Sequence, residues 1–212
     1  MPEYTKNYII LHHSLTARDT TTFEAINNNH RAKWDFESSL GFYIGYHYFI
    51  NGQGTVTQGR ADLEAGAHCY QSDMNYKSIG ICLAGNFDIE EPSAAQLKSL
   101  AALLDDLMRK HGIPIENLKF HREYAPKSCP GTKIGADFFK KLLINDDSMK
   151  LVQKKGQREV YAIDKNNKRH AIVNWETFQR GLAMGIWENK IDQIDDLTPY
   201  KAGNLIVITP DN

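Results

Sequence analysis

An α/β fold is what this sequence predicts, with a mixed β-sheet flanked by helices and a small C-terminal β-rich α+β module. Three observations carry that expectation. The run Asn7-Tyr8-Ile9-Ile10-Leu11-His12-His13-Ser14 has the short apolar signature of a strand. From Ser93 to Gly112 a capping pattern opens a stripe of leucines at helical spacing. After the polar stretch Ile144-Asn145-Asp146-Asp147-Ser148 the pattern changes to strand, turn, strand. Strands alternating with helices in the first part make a layered sheet, because each element must bury its apolar face against another. Residues 1–147 are therefore read as one domain and 148–212 as the small module.

Composition narrows the classes. The chain has 212 residues, 42% hydrophobic and 24% charged, an ordinary globular balance able to bury a core. Its formal net charge of -1 supplies no basic field, so nucleic acid is not an expected partner. No apolar run approaches the roughly 18 residues that cross a membrane as a helix, so no membrane insertion is expected. Met1-Pro2-Glu3-Tyr4-Thr5-Lys6 lacks the basic start and apolar core of a signal peptide, which predicts synthesis in the cytoplasm. Three cysteines are too few, and odd in number, for a disulfide framework.

Along the first domain, alternation puts Tyr8, Ile10 and His12 on one face of the opening strand and Ile9, Leu11 and His13 on the other. One of the two histidines can face a metal while its neighbour points away. A helix is expected from Thr21 to about Trp34, with Thr21 and Glu24 as a capping box and His30 as a packed or surface residue. Phe42 to Ile50 reads as an aromatic strand, with His47 structural and facing away from Tyr46. A turn at Asn51-Gly52-Gln53-Gly54 joins it to Thr55–Gln58. Arg60 to Lys77 has no period, and irregular loops of this length inside a compact domain usually serve function. Ser78 to Leu83 is a strand, in which Cys82 is a small apolar residue. Cys69 follows His68 directly and so faces the other way, which argues against a ligand pair. The helix opened by Ser93 and Gln96 presents Leu97, Leu100, Leu103, Leu104 and Leu107. His111 in its last turn suits the helix dipole.

The stretch His121-Arg122-Glu123-Tyr124-Ala125-Pro126-Lys127-Ser128-Cys129-Pro130 sets an imidazole and a thiol eight positions apart in bent, proline-bounded backbone. Zinc accepts both ligand types, and a histidine from the first strand would make a third. Three protein ligands leave a fourth tetrahedral position open, which is the catalytic arrangement. A short helix near Ala136 to Leu143 closes the domain. In the module, Glu159–Asp164 and Arg169–Val173 read as strands around a Lys165–Lys168 turn. A helix from Thr177 to about Ile186 and a strand at Leu205–Ile208 follow.

Five motifs in order, Leu11-His12-His13-Ser14, Gly45-Tyr46-His47-Tyr48, Gly66-Ala67-His68, Ser78-Ile79-Gly80-Ile81 and His121 through Cys129, carry a resemblance. Together they resemble the zinc-dependent N-acetylmuramoyl-L-alanine amidases, the group containing the amidase-type phage lysozymes and the peptidoglycan recognition proteins. The resemblance spans roughly residues 5 to 145 and implies the same fold for them. It implies Zn2+ on His12, His121 and Cys129. It also implies that Tyr46 positions or deprotonates water and that Lys127 stabilises the developing oxyanion. His68 and Asn75 would line the peptide groove, and the partner would be bacterial peptidoglycan. An endolysin that reaches the wall through a separate pore fits the sequence. The other class the resemblance allows is a recognition module that binds without cleaving, and the thiol at Cys129 favours the enzyme. In the module, Trp175 and Trp187 either bind wall glycan or fill a small core.

Overall fold

Strand β1 (Tyr8–His13) has five of its six residues buried, and it lies inside the first of two sheets. The computed structural model of the chain describes residues 2–143, 149–164, 167–172, 178–179, 182 and 187–202. Helix α1 (Phe23–Trp34), strands β2 (Tyr48–Ile50) and β3 (Val56–Gln58), helix α2 (Met74–Lys77) and strand β4 (Ser78–Leu83) follow. Helix α3 (Ala94–His111), strand β5 (Leu118–Phe120) and helix α4 (Phe138–Leu143) complete this part. The sheet runs β3-β2-β4-β1-β5. Every pairing is parallel except β2 with β3, so the sheet is mixed. Ile9, Ile10, Leu11, Ile79, Ile81 and Leu83 are wholly buried, as interior strands covered on both faces require.

Two sequence expectations shift. The N-cap of α1 is Thr22, whose hydroxyl accepts from Ala25 N, and not Thr21. The Thr21 hydroxyl instead donates to Ala17 O at 2.6 Å. The aromatic strand shrinks to the three residues of β2. Its first half leaves the ladder because side chains satisfy the backbone there. Asn27 Oδ1 accepts from Tyr43 N and Ile44 N, His30 Nδ1 accepts from Gly45 N, and the wholly buried Arg60 donates to Ile44 O.

Helix α3 keeps its expected form, with Ser93 and Gln96 in a capping box and Gly112 as the C-cap. Gln96 is also wholly buried, its amide donating to Ala84 O at 2.8 Å and Ile50 O at 3.3 Å. His111 does more than meet the helix dipole. Its Nε2 lies 2.9 Å from the buried Asp62 carboxylate, which Lys110 and Tyr48 also reach.

The chain divides into two compact units, residues 1–139 and 140–212, the division falling within α4. In the second unit, β6 (Met149–Lys154), β7 (Val160–Ile163), β8 (Lys168–Ala171), β9 (Trp187–Ile194) and β10 (Lys201–Ala202) form a sheet ordered β10-β8-β7-β6-β9. The expected hairpin is β7 with β8. Strands β6 and β9 have no forerunner in the sequence reading, because charged and amide residues make up half of the first and most of the second. Leu151 and Val152, adjacent on β6 and wholly buried, feed different clusters, one with Ala162 and Phe178 and one with Ile163 and Leu197. Residues 144–148, Trp175 and the strand expected at Leu205–Ile208 lie outside the described residues. So do the Trp187 side chain and most of the helix expected from Thr177.

Candidate metal centre

Parallel pairing of β1 with β5 sets Leu11 opposite Phe120. The next residue on each chain is a histidine, so His12 and His121 emerge side by side at the carboxyl ends of neighbouring strands. Ligands of open α/β sheets collect at such ends. The two rings stand 4.5 Å apart, centroid to centroid. Alternation turns His13 to the opposite face, where its Nδ1 accepts from Phe87 N at 3.2 Å.

Cys129 arrives on the loop after β5, and two side chains hold that loop in shape. Arg122 donates from its backbone to Cys129 O at 2.8 Å, and its guanidinium reaches the carbonyls of Gly131 and Ile134. The Asp88 carboxylate accepts from Ser128 Oγ and Thr132 N, both at 2.8 Å. The Cys129 sulfur thereby lies 3.7 Å from His12 Nδ1. One ligand atom from each of His12, His121 and Cys129 falls within 4.8 Å of the others, and all three residues are buried.

The donor set suits zinc. Tetrahedral bonds of about 2.0 Å to nitrogen and 2.3 Å to sulfur place the two ligand atoms roughly 3.5 Å apart, close to the 3.7 Å found here. Burial holds His12 well below the usual imidazole value and brings His121 down to about 4, so both rings are in the neutral form a metal needs. Burial pushes the Cys129 thiol up to about 11, opposed by the His13 backbone amide and by Lys127. A thiolate in that position calls for a cation.

Around this group the expected residues take distinct places. The Tyr46 ring stands 5.1 Å from His12, with His30 5.5 Å behind it. Burial first, and then the neighbouring Cys82 and Cys129, raise its hydroxyl well above the usual phenol value, so it is protonated at neutral pH. Lys127 is exposed, and its charge helps depress His12, His121 and Cys129. His68 is buried with its Nδ1 3.0 Å from His12 Nε2. Asn75 folds its Oδ1 onto the backbone amides of His68 and Cys69, both at 2.8 Å. His47 is structural, accepting from Gly80 N and contacting Glu64 O. Cys69 packs with Ile10 and Met74, outside the ligand group.

His30 is the packed helix residue expected, and it also accepts from Gly45 N; sequence reasoning overlooked Arg122, Asp88 and the neighbourhood of Cys82. Nothing in the sequence marked these roles; the parallel register of β1 and β4, which sets Cys82 opposite His12 on one face, appears only in the structure.

The family model for N-acetylmuramoyl-L-alanine amidase matches residues 3–132, the segment that carries His12, Tyr46, His68, His121, Lys127 and Cys129. The chain belongs to the N-acetylmuramoyl-L-alanine amidase family. The endolysin of Escherichia phage T7 is 35% identical over 109 residues, 49% of this chain and 70% of that one. Peptidoglycan-recognition protein SC2 of Drosophila melanogaster is 32% identical over 130 residues, 60% of this chain and 70% of that one. Among solved structures, N-acetylmuramoyl-L-alanine amidase LysC from Clostridium intestinale superposes with a TM-score of 0.55 at 30% identity, covering 66% of this chain and 88% of that one. Wild-type Drosophila PGRP-LB gives 0.54 at 26%, covering 66% and 82%. The mixed sheet flanked by helices is thus the amidase-family fold.

Proposed function

We propose that this amidase-family chain is a zinc-dependent endolysin hydrolysing the amide between the lactyl group of N-acetylmuramic acid and L-alanine in peptidoglycan. The observation that carries the reading is the buried trio His12, His121 and Cys129 within 4.8 Å, with the Tyr46 ring at its edge. Zinc held there would supply Lewis acidity toward water and toward the scissile carbonyl. His12 and His121 offer neutral nitrogens, and Cys129 contributes the one negative charge. Tyr46, protonated, offers its hydroxyl to orient the attacking water. Lys127 brings an ammonium two residues from Cys129, where it can stabilise the charge developing on the carbonyl oxygen. Water's oxygen ends in the lactyl carboxylate, and the leaving nitrogen becomes the α-amino group of L-alanine.

The contacts of His68 and Asn75 support a part in building the wall of the site. For residues 148–212 the reading is a separable module that adds affinity for the wall and takes no part in the chemistry. Action at the bacterial cell wall accords with the phage endolysins among the relatives. No helix among the described residues is long and apolar enough to cross a membrane. A recognition protein that binds without cleaving would have no use for the thiol at Cys129.

Mass spectrometry of fragments released from purified peptidoglycan tests this. The expected products are stem peptides with free L-alanine amino termini and glycan strands left uncut. Stoichiometric zinc without any such release would overturn the proposal.

A further inference from the structure

His12 uses both ring nitrogens. Its Nδ1 faces the Cys129 sulfur at 3.7 Å, and its Nε2 lies 3.0 Å from Nδ1 of His68. A nitrogen that ligates a metal carries no proton, so the single proton of a neutral His12 ring sits on Nε2. His68 Nδ1 must then accept it, which leaves the proton of His68 on its own Nε2. That atom is buried and has no hydrogen-bond partner among the described residues. Buried polar atoms are nearly always paired, so an unpaired one calls for an explanation. The slot around the ring is shaped for it. A Cβ on Gly66 would stand 2.4 Å from His68 Cδ2, and one on Gly80 would stand 2.5 Å from the same atom. Asn75 fixes the backbone amide of His68 from the other side.

We propose that His68 is a positioning residue for the metal: by accepting from His12 Nε2 it fixes the tautomer and orientation of that ring and aims Nδ1 at the ion. This rests on reading His12, His121 and Cys129 as ligands. It goes beyond groove lining, because it gives this residue, 8% exposed, a role toward the metal. Partners of metal-bound histidines fix the ligand ring in this way, and their loss typically costs about 10- to 100-fold in metal affinity.

The test compares the full chain with His68→Leu and His68→Asn, measuring zinc affinity without substrate by competition with a chromophoric chelator. His68→Leu should bind zinc about 10- to 100-fold more weakly. His68→Asn, whose Oδ1 can replace Nδ1 as acceptor, should stay close to wild type. A folded His68→Leu with undiminished affinity overturns the proposal. Should that variant not fold, ring-nitrogen NMR of the zinc-loaded wild type decides the matter. Protons on Nε2 of both His12 and His68 are expected, and a proton on His68 Nδ1 refutes the assignment. Wild-type protein that takes up no stoichiometric zinc removes the ligand reading itself, a failure seen before any variant is made.

Discussion

Tyr46 and Lys127 stand outside the proposed ligand trio, so the proposal separates metal retention from chemistry at the level of single residues. Tyr46→Phe should keep its zinc by elemental analysis and lose about 10²- to 10⁴-fold in turnover of a muramoyl-peptide. Lys127→Ala should also keep zinc and lose about 10²- to 10³-fold. The double variant should lose less than the product of the two, since both groups act on one transition state. Full activity in Lys127→Ala would show that the oxyanion needs no ammonium. The thiol gives a second prediction. Both histidine ligands are already neutral at pH 7.5, whereas Cys129, with a value near 11, is protonated. Zinc uptake should release about one proton per ion, so affinity should climb with pH across the neutral range. Calorimetry in buffers of different ionisation enthalpy reads that number directly, and a value near zero would mean the thiolate forms without the metal.

At the scale of elements, what could be read from the sequence was whatever is specified locally. Strand β1, strand β4 and the capped helix α3 announce themselves through neighbours a few positions away. The segment 42–47 misleads for the opposite reason: its aromatic composition says strand, while Asn27, His30 and Arg60 satisfy its backbone from a distance. The grouping of His12, His121 and Cys129 was legible through the resemblance of their motifs. The link from His12 to His68 was not, because it joins residues 56 positions apart through ring nitrogens that carry no pattern. Arg60 offers a test of the distant support. Its guanidinium donates to the carbonyls of Phe36, Ile44 and Ala65. Arg60→Met leaves those three acceptors without it, at about 1–3 kcal/mol each. Urea unfolding should report a loss of ~3 kcal/mol or more. A loss below ~1 kcal/mol would mean water takes over the role of the guanidinium.

The whole molecule should answer to acid through its buried histidines. Burial brings His47 down to about 3 and His30 to about 4, both below the 6.5 of an unfolded chain. Their contribution to stability is complete above pH 6.5 and is lost as pH falls toward those folded values, since the unfolded state takes up the protons first. Within that window each such group tilts stability by about 1.4 kcal/mol per pH unit. Unfolding midpoints of the zinc-free protein should therefore drop steeply between pH 6.5 and 4, and a flat profile would contradict it. The proposed separation of chemistry from wall affinity gives the last prediction. Residues 1–147 alone should cleave a soluble muramoyl-peptide as the full chain does, yet sediment less with whole walls. Equal sedimentation would assign residues 148–212 another role.

The two candidate nitrogen donors each follow directly on the last β1–β5 pair, Leu11 with Phe120, while the sulfur hangs from a loop. The spacing of neighbouring strands, about 4.8 Å in any sheet, thus sets the backbone distance from which the two imidazoles reach out. Warming or damage that slackens the loop would release the sulfur first and leave the rings where the strands set them, 4.5 Å apart from centroid to centroid. Anyone refitting this site for a different ion has two fixed jaws and one that adjusts.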